Sequence, residues 1–498
     1  MRDDAHRETR RELGNGLKQA TQYDAAGRLA RQTLQGASGK VMERRYHYDA
    51  AGQLTQIADM RRGQIQYAYD PIGRLTRAQS SLGVETFAFD PASNIVEATE
   101  RDVHGIGVLG GEPAVPLLDN LLKEYAGTHY AYDEQGDPKE RTRNGKRIVF
   151  GWDSLGRMVT ASDRQMQAKY AYDALGRRIA KLTEPQVPHL SSAGSGWRDA
   201  ERRRLKQEHG YGLTLYGWDG DTLAYETSWD KRETTHYVYE PGGFTPLVRA
   251  TGAAVLRDDG SAAAELTSIA YYHCDQIGTP QEVTDEAGEI AWSARYKAWG
   301  EAREVIGEAA RKAGIENPLR FAGQYFDRET GLHYNRYRYY DPGSGRFISK
   351  DPIGLAGGIN VFQYAPNPTG WIDPLGLTKS CCPCLYRGVS ANHPAIEEAT
   401  RGVVRPADPN AQMSPEEHAE GGGTGKSQYV SWTKNKDIAL DHANKHGPGG
   451  VLLSVPVGVP GPGDTWRWGW THINQWGEPE MLQEGTRTGV TVSREGCK

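Results

Sequence analysis

Polar and apolar residues alternate with a period of two along most of the chain. Gln64-Ile-Gln-Tyr-Ala-Tyr69 is one such run, and the alternation is that of a half-buried β-strand. The runs lead into a recurring text, aromatic-Asp-x-x-Gly-Arg-Leu. Tyr23-Asp-Ala-Ala-Gly-Arg-Leu29 returns as Tyr48-Asp-Ala-Ala-Gly-Gln-Leu54, Tyr69-Asp-Pro-Ile-Gly-Arg-Leu75, Trp152-Asp-Ser-Leu-Gly-Arg-Met158 and Tyr172-Asp-Ala-Leu-Gly-Arg-Arg178. Weaker copies begin at Phe89, Tyr132 and Trp218. The period is about twenty residues, and the long gap between Asp90 and Asp133 predicts a degenerate copy near residue 110. Asp can bond the backbone that follows it, and Gly supplies a positive φ, so each unit predicts strand, tight turn, strand. Such hairpins cannot bury a face alone. Stacked edge to edge they give a long sheet, in which tyrosine packs its ring and leaves its hydroxyl in water. These Tyr-Asp pairs are read as structural, and no catalysis is assigned to them.

Composition agrees with this pattern. Sixty glycines and 26 tyrosines stand against 8 phenylalanines in 498 residues, which excludes both a helical bundle and a disordered chain. The length predicts several units. No apolar run approaches the ~18 residues of a membrane span. The net charge of −5 argues against strong nonspecific attraction to nucleic acid or to acidic membranes. The N-terminus, Met1-Arg-Asp-Asp-Ala-His-Arg, is charged and leads into no apolar stretch, so no secretory signal peptide is expected. Of five cysteines, Cys381, Cys382, Cys384 and Cys497 lie in one C-terminal segment, and Cys-Cys-Pro-Cys lacks the paired spacing of a zinc ribbon. No metal is assigned.

The repeats resemble those of Rhs, or YD-repeat, polymorphic toxins. Two further stretches carry the same likeness, Tyr271-Tyr-His-Cys-Asp-Gln-Ile-Gly-Thr-Pro280 through Trp299-Gly300, and Arg320-Phe-Ala-Gly-Gln-Tyr-Phe-Asp-Arg-Glu-Thr-Gly-Leu-His-Tyr-Asn-Arg-Tyr-Arg-Tyr-Tyr-Asp-Pro342. The resemblance covers roughly residues 20 to 377. It implies a mainly β protein, a YD-repeat shell or cocoon around a C-terminal cargo, and it resembles a shortened Rhs chain without an N-terminal loading or spike-adaptor domain. The expected division is 1–20 as an N-terminal extension without assigned structure, 21–320 as YD-repeat shell, 321–377 as core end and 378–498 as toxin domain.

Asp351-Pro-Ile-Gly354 and Asp373-Pro-Leu-Gly376 form a doublet. On residues alone both are turn sequences. The resemblance makes them a self-cleavage motif with the break between Leu377 and Thr378. Two carboxylates held close cannot both ionise, so one of Asp351 and Asp373 would stay protonated as acid while the other activates water. Arg346 is placed either to steady that charge or simply on its strand.

From Thr378 the repeat text stops, and 121 residues follow with a net charge of −1. A nuclease would more often be basic. Cys384-Leu-Tyr-Arg-Gly-Val-Ser390 reads as a strand ending in an Arg-Gly turn. Gln428-Tyr-Val-Ser-Trp-Thr433 reads as a strand leading into a helix through Ala443, with Asn435 as its cap. Glu478-Pro-Glu480 follows. The order Arg, Ser-x-Thr, Glu-x-Glu resembles the R-S-E class of ADP-ribosyltransferases, which implies a small α+β fold and NAD as substrate. By that resemblance Arg387 holds a phosphate or ribose of NAD, Ser431 with Thr433 braces the nicotinamide pocket, Glu480 stabilises the oxocarbenium-like state, and Glu478 orients or deprotonates the acceptor. Trp432 and Pro479 depart from the usual motifs.

The function expected is thus a self-cleaving toxin that transfers ADP-ribose to a protein or RNA of a rival cell. The alternatives are an NAD glycohydrolase, a metal-dependent nuclease using His442 and His446, and a non-enzymatic adhesion or binding shell. His442 lacks an adjacent Glu base, and the bland reading is a solvated helix face. A toxin of this kind implies a cognate immunity protein, secretion spike or adaptor proteins and contact-dependent delivery of the type VI kind into the target-cell cytoplasm.

Overall fold

A computed structural model describes residues 1–3, 7–96, 120–187, 194–256, 262–306, 315–377, 380–381, 384–408, 410–411, 427, 429–433, 436–447, 449–456, 468–473, 479–484 and 490–493. Two compact units emerge, residues 1–66 with 380–498, and residues 67–379. The copy expected near residue 110 lies outside the described residues, as do Asn435, Thr378 and Glu478.

The repeat turn has a definite chemistry. Asp24 Oδ1 accepts the Arg28 amide at 2.9 Å, Asp24 Oδ2 accepts Arg28 Nε at 2.7 Å, and Gly27 takes a φ of +78°. Asp70 holds Arg74 in the same way, Asp153 holds Arg157, and Asp173 holds Arg177. The arginine so fixed lies over the ring that opens the next motif. Arg28 is 4.5 Å from the centre of Tyr48, Arg74 is 4.8 Å from Phe89 and Arg157 is 5.1 Å from Tyr172. The strand register shifts at the motif aromatic, between His47 and Tyr48 and between Ala171 and Tyr172, a bulge that aims the ring at its neighbour.

The expectation of wet hydroxyls is corrected here. Tyr48 Oη donates to Leu29 O at 3.0 Å and Tyr172 Oη to Met158 O at 2.7 Å, while Trp152 Nε1 reaches Pro138 O and Trp218 Nε1 reaches Arg178 O, each at 2.8 Å. Each ring thus satisfies a backbone carbonyl of the preceding unit. Phenylalanine has the ring but no donor, which accounts for its scarcity beside tyrosine and tryptophan.

In the first unit, the strands from Arg10–Glu12 to Leu54–Asp59 pair antiparallel in sequence order around Leu17, Leu34 and Met42. Residues 1–20 are not a separate extension. Arg7 bonds Asp3 through its amide at 2.9 Å and through Nε at 2.8 Å, and it lies 4.6 Å from the Tyr23 ring centre. The repeat chemistry therefore starts at Asp3, where His6 stands in the glycine position and disguises the motif.

In the second unit a fifteen-stranded sheet runs in sequence order from Glu124–Tyr125 to Ala302–Ile306. Among the described residues one helix interrupts it, Ser195–His209, an unpredicted element whose polar run pairs Arg204 with Glu201 at 2.7 Å and with Glu208. The core end packs against this sheet as a four-stranded one, Tyr325–Asp327, Leu332–Asn335, Arg338–Asp341 and Arg346–Phe347. Leu332, Tyr334, Tyr339 and Ile348 share a core with Ile148, Phe150, Met158 and Tyr170. Buried ion pairs cross the same boundary, Arg141 to Asp341 at 2.8 Å and Arg178 to Asp327 at 2.6 Å. Burial of this density fixes the core end in place, and with it the doublet that follows.

Candidate functional site

The two Asp-Pro-x-Gly turns meet at one buried arginine. Arg338 Nη2 lies 3.0 Å from Asp351 Oδ2 and 3.3 Å from Asp373 Oδ2, and all three side chains are buried. The guanidinium is held from its other edges. Nη1 donates to Val361 O at 2.9 Å, Nε donates to Gly376 O, and the Phe347 ring centre lies 3.7 Å away. Asp373 Oδ1 accepts the amides of Gly376 and Leu377, each at 2.9 Å, so this carboxylate is tied to the expected cleavage point. Asp351 Oδ1 accepts the Ile353 amide at 3.0 Å. Its Oδ2 and the Leu377 carbonyl oxygen crowd the same spot, since a Cβ on Gly357 would lie 2.2 Å from the first and 2.6 Å from the second. Only glycine leaves that space open.

Burial pushes the Asp373 carboxyl up to about 6, Arg338 pulls against the rise, and the Asp351 charge adds to it. Burial likewise lowers Arg338 below its ordinary value, opposed by the two carboxylates. A buried carboxyl raised toward neutrality, joined through one arginine to a second carboxylate, offers an acid and a base at one centre.

Arg346 is not part of this centre. Its guanidinium bonds Asn94 Oδ1 at 3.3 Å and Asn120 O, and it lies 4.7 Å from the Phe362 ring centre. Arg338 holds the position expected of it. Nothing in Arg336-Tyr-Arg-Tyr-Tyr340 marks which arginine points to the aspartates, so sequence alone missed it.

The C-terminal segment forms two three-stranded antiparallel sheets. In one, Val451–Pro456 lies between Cys384–Val389 and Thr491–Ser493; in the other, Pro479–Glu484 lies between Tyr429–Trp432 and Trp468–Ile473. Tyr386 and Thr433 join them through reciprocal backbone hydrogen bonds of 2.6 and 2.8 Å. Arg387, half-buried, donates from Nη1 to Ser431 O at 2.9 Å. Trp432 pairs with Met481, and continuing that register by one residue sets Glu480 level with Thr433. Arg387 is bonded to the Ser431 backbone, Thr433 lies where the sheets meet, and Glu480 lies on the strand that pairs with Tyr429–Trp432.

The Arg-Gly pair is not a turn. The strand runs through it to Val389, and the helix Lys436–Asn444 lies directly on Gly388, where a Cβ would stand 1.8 Å from Ala439 O and 2.6 Å from Ala443 N. Among the described residues no cluster of His, Cys, Asp and Glu has the arrangement of a metal site, and no helix is long and apolar enough to cross a membrane.

Residues 9–186 match the family described as Teneurin YD-shell, and residues 269–306 match the family described as RHS protein. The chain carries an Rhs YD-shell. This Rhs chain is 35% identical to double-stranded DNA deaminase toxin A of Burkholderia cenocepacia, over 86% of its own length and 29% of that protein's. It is 33% identical to toxin protein Tse5 of Pseudomonas aeruginosa, over 79% of its own length and 32% of that protein's. The Rhs chain thus spans about a third of the length of these relatives. The crystal structure of TcdB2-TccC3-Cdc42 shares its fold, with a TM-score of 0.55 and 18% identity across 76% of this chain and 19% of that one.

Proposed function

We propose that this chain is a self-releasing Rhs toxin of interbacterial competition whose 378–498 segment transfers ADP-ribose from NAD. Relatives that share the shell bear names as unlike as DNA deaminase, deoxyribonuclease and tRNA-specific nuclease. Activity therefore follows from the terminal segment and not from the shell. The observation that carries the reading is the bond from Arg387 to Ser431 O at 2.9 Å, together with the pairing of the Glu480 strand, Pro479–Glu484, with Tyr429–Trp432. An arginine fork suits a phosphate of NAD. A fixed carboxylate at Glu480 stabilises the positive charge that develops on the ribose as its bond to nicotinamide breaks. The acceptor then forms the new bond at that carbon and yields its proton to Glu478.

Release is hydrolysis of the Leu377–Thr378 peptide bond. Asp351 takes a proton from water as the hydroxyl adds to the Leu377 carbonyl carbon, and the proton held by the aspartate pair passes to the Thr378 nitrogen as the bond breaks. The products are a shell ending in a Leu377 carboxylate and a cargo beginning with a Thr378 amine. A cognate immunity protein, spike or adaptor partners and delivery into the cytoplasm of a rival cell complete the proposal.

The test is to incubate the full chain and its Glu480→Gln variant with NAD labelled in the adenylate and with bacterial lysate. Label in protein or RNA, lost in the variant, supports transfer. Label only as free ADP-ribose makes the cargo a hydrolase, and label in none of these pools removes both.

A further inference from the structure

The peptide that carries the cleavage point is held by one turn of the core end. Asn335 Nδ2 donates to Asp373 O at 2.7 Å and to Pro374 O at 2.8 Å. The Tyr337 amide donates to Leu375 O at 3.1 Å, and Arg338 Nε donates to Gly376 O. Four successive carbonyls are thus taken by donors within the four residues Asn335 to Arg338. Glycines let the two segments touch. A Cβ on Gly376, whose φ is +73°, would meet Asn335 O at 2.8 Å, and a Cβ on Gly323 would meet Pro374 O at 2.1 Å.

Asn335 is fully buried, and its Oδ1 has no hydrogen-bond partner. An unsatisfied buried oxygen is unfavourable, and such groups call for an explanation. Turning the amide over would set Oδ1 against two carbonyl oxygens, so the orientation is fixed by the acceptors it serves. One of its N–H bonds is spent on the backbone of Asp373, whose carboxylate grips the Gly376 and Leu377 amides, and the other on the next residue, Pro374.

We infer that Asn335 is a positioning residue for self-cleavage. It anchors the Asp373 and Pro374 carbonyls, which keeps the Asp373 carboxylate over the Leu377 amide and the Leu377 carbonyl beside Asp351. The inference rests on the release reading above. It also makes recognition of Asp373-Pro-Leu-Gly-Leu377 largely a reading of backbone, with glycine demanded at 376 by the close approach.

The full chain is labelled in cell-free synthesis and its conversion to core and cargo followed over time at several pH values. Asn335→Leu, close in shape but without donors, is expected to slow conversion by roughly a hundredfold, the scale of a small misplacement of reacting groups. Asn335→Gln, which keeps the donors, is expected to recover part of that loss. The pH midpoint of conversion moves upward in Asn335→Leu, because bonds from the Gly376 and Leu377 amides favour ionised Asp373 and are weakened. Folding is checked separately by thermal melting of Asn335→Leu within an Asp373→Asn chain, which should keep one cooperative transition, shifted below that of Asp373→Asn alone because two carbonyls lose their donors. Wild-type rate and midpoint in Asn335→Leu would overturn the inference. So would a slow variant that has lost its melting transition and is not rescued by Gln. A wild-type chain that never converts removes the release reading itself, a different result from the other two.

Discussion

The guanidinium of Arg178 and the carboxylate of Asp327 meet at 2.6 Å with both side chains sealed from water. Lys181 adds a second cation at 3.0 Å from Asp327, and the rings of Tyr170, Tyr216, Tyr325 and Tyr334 surround Arg178. Burial works against ionised Asp327, and the two cations outweigh it, leaving its pKa below the ordinary value. The pair ties the repeat sheet to the core end. Arg178→Met leaves the buried Asp327 carboxylate to Lys181 and should destabilise the second unit by up to about 3 kcal/mol, whereas Arg178→Met with Asp327→Asn should recover part of that loss. Denaturant midpoints in an uncleavable chain measure both, and equal midpoints for the single and double variants would contradict the pairing.

Self-cleavage should slow as pH rises through about 6. Asp373 titrates there because burial raises it from 3.8, and the mechanism needs one proton on the pair. The same rise sets the sign of its effect on stability. The folded chain binds this proton more tightly than the unfolded chain, so the Asp373 contribution is most favourable below the unfolded value and declines as pH increases to about 6, by roughly 3 kcal/mol in all. A pH-jump series on freshly made chain gives the rate profile, and a profile flat between those values would remove Asp373 from the proton-carrying role.

Tyr48→Phe keeps the ring under Arg28 and removes the bond to Leu29 O. The expected loss is about 1 kcal/mol, typical of one hydrogen bond, read as a shifted denaturant midpoint in the first unit. Arg28→Ala removes the stacking cation as well as the bonds to Asp24 and should cost more.

Gly388→Ala places a methyl inside the backbone of the Lys436–Asn444 helix. The helix must move away, and a loss of several kcal/mol is expected for so severe an overpacking. The shell should still convert, while the 378–498 segment becomes sensitive to protease and transfers no label. A protease-resistant, active Gly388→Ala cargo would refute the close approach.

The shell was legible because its turn chemistry is written out in contiguous residues, Asp to Arg with Gly between. The partner of each tyrosine was not, because the acceptor is an unmarked carbonyl in the preceding unit, and nothing in Tyr48 announces Leu29. Asp351 and Asp373 stood out through their Asp-Pro-x-Gly texts. Of the two roles open to Arg346 from its nearness to Asp351 in sequence, its strand gives it the structural one, bonded to Asn94 and Asn120, while Arg338 on the neighbouring strand faces the aspartates. In the C-terminal segment the motifs mark Arg387 and Ser431, but the bond between them uses the Ser431 carbonyl, which no side chain announces. Gly388 was misread as a turn because a glycine needed for contact and one needed for a bend look alike until the overlying helix is seen.

The backward reach of each motif ring, Tyr172 to Met158 and Trp152 to Pro138, has a consequence for synthesis. A ribosome emits the carbonyl first and its donor about a dozen or more residues later. Each unit closed in this way leaves the exit tunnel one bond short and is finished by its successor, so these repeats mature behind the point of synthesis and in one direction.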